Sequence, residues 1–317
     1  MKNIVKIFYG LLVVALGISI FCVSMISKNN GYFDQLFGTE KAVNEKEATN
    51  GQNEKVSNTP AFDSILQGTG NLESKNLNIN GVPCILYYTD NYEKRPVMVI
   101  QHGLTSKKED MKDLANAFAQ QGYLVVTPDA AAHGELTNKD SYSLAELIQQ
   151  TSKDFDIVLD YLAKSSYVDM DRIGIAGISL GGLSTLYYVK NGSYDPKVVV
   201  TMCATPKYED LAGTTAAYNY MVNGNLVAET DAAVKVQLDE DLCVESPYEA
   251  ILTDNQTNYY LLCGDQDDVV PYQGNVELYE AKKASAADMI LQVKEGQGHT
   301  VTEDDLWEIL TYVVAHL

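Results

Sequence analysis

The chemistry-bearing stretch is Gly177-Ile178-Ser179-Leu180-Gly181, entered by the small and β-branched apolar run Ile173-Gly174-Ile175-Ala176. A buried strand that turns sharply into a helix through Gly-x-Ser-x-Gly leaves its serine exposed at the turn. Gly177 and Gly181 suit a turn in which two passing backbones come too close for side chains. The following segment, Leu183 to Lys190, reads as a helix, and its N-terminal N–H groups would face any negative charge developing at Ser179.

A serine hydroxyl is a poor nucleophile at neutral pH until a base takes its proton. After such a turn, the base and its acid follow in the order Ser, Asp or Glu, His. The chain has four histidines, His102, His133, His299 and His316, and only the last two follow Ser179. His316 is penultimate, on a terminal helix. His299 lies in Glu295-Gly296-Gln297-Gly298-His299, a glycine-rich loop directly after the last expected strand, and is the candidate base. The acid belongs on the loop ending the preceding strand, where Gly264-Asp265-Gln266-Asp267-Asp268 offers three aspartates. Its role needs one oriented carboxylate, to fix the imidazole tautomer. Spacing alone does not choose among Asp265, Asp267 and Asp268.

The elements that must carry these groups alternate. Asn76–Asn80 and Val82–Thr89 read as a hairpin across Asn80-Gly81. Pro96–Gln101 is a continuous apolar run, as for a strand covered on both faces. A helix is expected at Asp110–Gln121, a strand at Tyr123–Thr127, and a long amphipathic helix at Ser143–Lys164. Strands follow at Arg172–Ile178, Val198–Cys203, Tyr259–Cys263 and Met289–Val293, with helices at Tyr272–Ala284 and Glu303–His316. This alternation predicts an α/β fold, with a mostly parallel central sheet and helices on both faces. Reactive groups then gather at the carboxyl ends of the strands.

At the N-terminus, Lys2 and Lys6 precede an apolar run from Ile7 to Ile26. Its length predicts a signal anchor or signal peptide over residues 1–27, oriented N-in, C-out, with the rest of the chain extracytoplasmic or secreted. Residues 28–60 are rich in Asn, Glu, Lys and Gly and read as a polar linker. The remaining 61–317 form one catalytic domain. A formal net charge of −20 argues against a nucleic-acid partner. The five cysteines, Cys22, Cys84, Cys203, Cys243 and Cys263, show neither a Cys-x-x-Cys pair nor a metal-ligand cluster with histidine. No disulfide framework is expected, although sequence leaves a Cys203–Cys243 pair open.

From about Leu72 to Leu317 the chain resembles the α/β-hydrolase superfamily, in particular its prolyl-oligopeptidase-like and dienelactone-hydrolase-like small bacterial esterases. The resemblance rests on Gln101-His102-Gly103-Leu104, Pro128-Asp129 with His133-Gly134, Val168-Asp169 through Gly174, the elbow, Gly264-x-x-Asp267-x-x-Val270-Pro271, and Gly298-His299. It implies an α/β-hydrolase fold and selects Asp267 as the acid beside Ser179 and His299. It also implies an oxyanion hole from the backbone N–H groups of Leu104 and Leu180, each such donor contributing roughly 3–4 kcal/mol. His102 and His133 then shape the rim. Residues 206–257 fall where this superfamily carries a helical lid. Asp210–Asn223 and Asp231–Leu242 are its expected helices, with Tyr208, Tyr218, Tyr220, Met221 and Leu226 as pocket candidates. The expectation is a serine hydrolase of carboxylic esters that needs no metal or organic cofactor. A peptidase or amidase using the same triad is the alternative, and a catalytically silent binding protein of the same fold a further one.

Overall fold

A computed structural model describes residues 71–89, 94–137, 142–212, 240–283 and 288–317. The expected anchor, the linker and most of the expected lid, including Tyr218, Tyr220, Met221 and Leu226, lie outside the described residues. No helix among the described residues is long and apolar enough to cross a membrane.

Eight strands form one sheet in the order β1-β2-β4-β3-β5-β6-β7-β8. They are β1 Leu72–Ile79, β2 Val82–Thr89, β3 Arg95–Gln101, β4 Leu124–Pro128, β5 Val168–Ile178, β6 Val198–Met202, β7 Asn258–Gly264 and β8 Met289–Lys294. β1 and β2 are antiparallel to their neighbours, and every pairing from β4 to β8 is parallel. The β1–β2 turn at Asn80-Gly81 has positive φ at both residues, as a two-residue hairpin requires.

Helices cover both faces: α1 Lys112–Gln120, α2 Leu144–Leu162, α3 Leu180–Asn191, α4 Tyr248–Thr253, α5 Gln273–Lys282 and α6 Glu303–His316. The period-two alternation of β3 decides which face each side chain serves. Met98 and Ile100 pack with Phe118 of α1 and Val313 of α6. Val97 and Val99 pack with Phe155 and Val158 of α2 on the other face. Since both faces are covered, all seven residues of β3 are buried, which is why its sequence shows no polar alternation. Helix α2 starts where Ser143 and Glu146 exchange side-chain and backbone hydrogen bonds, a cap that stabilises by about 1 kcal/mol.

Most boundaries shift by one or two residues, and four differ by more: β1 begins at Leu72 rather than Asn76, with its first residues exposed. β5 begins at Val168 rather than Arg172, because Val168 and Asp169 pair with Arg95 and Pro96 before an irregularity at Pro96/Val97. That first part is partly solvated, and Asp169 accepts from Arg172 Nε at 2.8 Å, so it reads as a polar loop. Helix α3 starts at Leu180, since Gly181 and Gly182 occupy its first turn and hide it from periodicity. Within the expected lid, residues 240–244 and α4 are helical. No disulfide engages Cys84, Cys203, Cys243 or Cys263.

Candidate active site

Ser179 stands between β5 and α3 at φ 54°, ψ −118°, a conformation that non-glycine residues rarely adopt. Such strain costs on the order of 1–3 kcal/mol and persists only where the surroundings fix it. Here Ser179 N–H donates to Met202 O of β6 at 2.8 Å, and Ser179 O accepts Leu183 N–H at 2.9 Å. A Cβ on Gly177 would collide with the backbone of Gly181, and one on Gly181 with the carbonyl of Gln101, so both glycines serve the close approach. The first N–H groups of α3, that of Leu180 included, have no intrahelical acceptor and stand next to the serine.

His299 comes from the loop after β8, 120 residues further along the chain, with its Nε2 2.9 Å from Ser179 Oγ. The loop is fixed from both sides. Gln266 N–H donates to Gln297 O at 2.9 Å, Gly296 N–H to Asp265 Oδ1 at 2.7 Å, and Gln297 Nε2 to Thr300 O at 2.7 Å. Immediately beyond, Thr302 and Asp305 exchange the bonds that cap α6.

The structure separates the three aspartates that spacing left open. Asp267 Oδ2 lies 2.8 Å from His299 Nδ1, and its Oδ1 accepts the Val269 and Val270 N–H groups, each at 2.9 Å. Its side chain is fully buried. Asp265 instead braces the histidine loop, and Asp268 is exposed. Because a carboxylate only accepts, Nδ1 carries the ring proton and Nε2 presents its lone pair to the Ser179 hydroxyl.

Leu104 follows Gly103, which lies against the nucleophile: a Cβ there would sit 3.4 Å from Ser179 Cβ. This brings the loop that carries the Leu104 N–H alongside the serine. His102 is fully buried, with Nδ1–H donating to Gly103 O at 2.8 Å and Nε2 accepting Ala130 N–H at 2.9 Å. Burial pushes its pKa down to about 4, so it is a neutral brace for this loop. His316 pairs with Asp288 at the surface and makes no hydrogen bond to the serine.

Tyr208 departs from expectation. It is fully buried, donates to Leu183 O at 2.6 Å, and packs with Leu180, Leu183 and Leu211. It is a core residue supporting α3 rather than an open pocket wall, because its hydroxyl has an acceptor inside the fold.

Two features had no sequence signal specific enough to find them. Lys108, 2% exposed, donates through Nζ to Asp129 Oδ2 at 3.0 Å and Glu135 Oε1 at 2.9 Å, while its N–H donates to Asp129 Oδ1. Burial opposes the ammonium charge, but the bonds it donates to Glu135 and Asp129 outweigh this and push the pKa up. This pair ties the loop after β3 to the loop after β4. The second feature is Cys203, at φ 53° just after β6. Its Sγ, an Asp267 oxygen and a His299 nitrogen all lie within 4.8 Å of one another. That donor set resembles a metal site, yet the carboxylate and Nδ1–H already satisfy each other, and the thiol donates to Thr300 O at 3.4 Å.

Residues 110–309 match the model of the prolyl oligopeptidase family, a span that includes Ser179, Asp267 and His299. The chain is 24% identical over 231 residues to esterase YjfP of Escherichia coli, covering 70% of this chain and 89% of that one. It is 28% identical over 148 residues to YitV of Bacillus subtilis, covering 44% of this chain; the match spans only 57% of YitV's length. Among solved structures, the acetyl xylan esterase from Paenibacillus sp. R4 shares the fold at TM-score 0.60 and 13% identity, covering 84% of this chain and 97% of that one.

Proposed function

The chain belongs to the prolyl oligopeptidase family, whose esterase relatives make it a serine hydrolase of esterase or peptidase type, and from that premise we propose that it cleaves carboxylic esters outside the cytoplasm. The observation that carries the reading is the unbroken hydrogen-bond chain Ser179–His299–Asp267. Ser179 Oγ forms a bond to the ester carbonyl carbon while its proton passes to His299 Nε2. Asp267 holds the ring in the required tautomer and stabilises the imidazolium. The carbonyl oxygen, now negative, is met by the N–H groups of Leu104 and Leu180. Collapse breaks the bond to the alcohol oxygen, which takes the Nε2 proton and leaves an acyl-serine. Water then repeats the sequence, giving its proton to Nε2 and releasing the acid and Ser179.

A fluorophosphonate, which labels only activated serines, tests the site. Expected is one adduct on Ser179, lost in Ser179→Ala and His299→Ala, with ester turnover lost in parallel. Labelling at another serine, or turnover by purified Ser179→Ala, sinks the assignment. The family match favours one second reading, hydrolysis of peptide amides by the same residues; aryl esters and peptide amides assayed side by side separate the two. The extracytoplasmic assignment rests on Lys2 and Lys6 preceding the apolar Ile7–Ile26 run. Protease added to intact cells should degrade the domain, and full protection refutes that assignment.

A further inference from the structure

A cleft of about 530 Å³ opens beside the oxyanion loop, between the loops that follow β3 and β4. That volume is within the range of small-ligand sites. One wall is Thr105, Ser106, Lys107 and Asp110; the other includes His133. The cleft adjoins the reaction centre along the chain. Thr105 is two residues beyond Gly103, so the Cα atoms of these two are at most about 7.6 Å apart, and a Cβ on Gly103 would sit 3.4 Å from Ser179 Cβ.

The polar atoms of this cleft define what fits it. His133 is only 8% exposed, and its Nδ1 lies 2.7 Å from Ala131 O. A carbonyl only accepts, so Nδ1 carries the proton and Nε2 is a lone pair with no partner among the described residues. Burial lowers the His133 pKa, which keeps the ring neutral. Opposite, Asp110 Oδ2 already accepts from Ser106 Oγ at 2.6 Å and Lys107 N–H at 3.0 Å. The Lys107 ammonium has no carboxylate within ion-pair distance among the described residues. His133 and Lys107 both line the cleft, so it brings together a residue with an unused acceptor and one with an unused cationic donor. A carboxylate or phosphate would set its oxygens against the His133 lone pair. An alkyl chain would find threonine, serine, alanine and glycine instead of Leu, Ile or Phe. A hydroxyl satisfies both walls, because it donates and accepts at once.

We propose that this cleft is a subsite for the hydroxyl-bearing part of an ester, with a hydroxyl donating to His133 Nε2 and accepting from Lys107 Nζ. The proposal rests on the ester-hydrolase reading and names its substrate class, a polyol-like ester. The hydroxyls can belong to the alcohol or to the acyl half, and matched substrates distinguish these sources.

The experiment measures kcat/KM of the full chain on 1-monoacetylglycerol against propyl acetate, and on methyl 2,3-dihydroxypropanoate against methyl propanoate. The expected result is at least a tenfold preference for the hydroxylated member of one pair, which identifies the half that enters the cleft. His133→Phe should cut that preference about tenfold, and Lys107→Ala should cut it severalfold. Since the readout is a ratio on one sample, partial misfolding cancels; Lys107 is exposed, so its variant tests the cleft even if His133→Phe does not fold. Equal rates within both pairs, or a preference that survives both substitutions, overturns the subsite while leaving the esterase. Hydrolysis of peptide amides with none of the four esters cleaved overturns the ester reading and the subsite together.

Discussion

Asp267→Asn is isosteric, yet the structure predicts that it is not conservative. Asp267 Oδ1 accepts two backbone N–H groups, from Val269 and Val270. In the variant, only the amide oxygen can occupy that position, so the NH₂ must replace Oδ2 and face His299 Nδ1. Two donors would then oppose each other. The ring escapes by moving its proton to Nε2, which turns an N–H toward Ser179 Oγ and removes the base. Keeping the productive tautomer forfeits a charge-assisted hydrogen bond, about 1.5–3 kcal/mol, and buries an unsatisfied donor, about 1–3 kcal/mol more. The total, about 3–6 kcal/mol, corresponds to roughly two to four orders of magnitude in kcat. The assay is kcat on an aryl ester, normalised to folded protein by thermal melting, for wild type, Asp267→Asn and Asp267→Ala. Asn should be at least as damaging as Ala despite leaving the loop's backbone bonds intact and the melting temperature little changed. An Asn variant within tenfold of wild type would refute the tautomer argument.

Asp154 on α2 is 6% exposed, and burial raises its pKa to about 6 from 3.8. The folded state binds this proton more tightly than the unfolded chain, so stability falls as pH rises through this window, by about 3 kcal/mol when complete. Asp154→Asn, which keeps the Gln150 bond, should therefore raise stability in urea melts by about that much at pH 7.5 and by about half at pH 5; an equal effect at both pH values would disprove the cause. A Cβ on Gly264 would strike the carbonyl of Gln297, so Gly264→Ala should displace the His299 loop and lower kcat at least tenfold; unchanged kcat means that the loop yields freely. Lys108→Met leaves Asp129 buried without its ammonium, which should cost about 3–5 kcal/mol of stability; a loss under 1 kcal/mol in denaturant titration would show that Asp129 is held by its backbone donors alone.

The parts legible in the sequence are those whose causes are local. The elbow, helix α2 and the buried strands announce themselves through turn glycines, amphipathic periodicity and unbroken apolar runs. Asp267 was different: three aspartates in four positions are equivalent until the fold shows which one reaches His299, and only resemblance selected it. Tyr208 illustrates the reverse failure, since an aromatic residue after a strand reads equally well as a pocket wall or as core. The Lys108–Asp129 pair joins residues 21 apart across two strands, and no periodicity encodes such a meeting. The start of β5 is hidden because the residues after the buried Val168, 169–172, are partly or fully exposed and carry a charge pair.

The separation of Ser179 and His299 by 120 residues, with β8 at the sheet's edge, has a temporal consequence. During synthesis the serine leaves the ribosome long before its base, so the emerging chain carries an inert hydroxyl. On the proposed mechanism, turnover begins only when β8 pairs with β7 and α6 closes behind it. β8 is mostly half-buried, and elements with few buried contacts open locally at lower free energy than the core. Gentle heating should therefore extinguish turnover while the central strands remain paired, making ester cleavage a sensitive reporter of the last step of folding and the first step of its reversal.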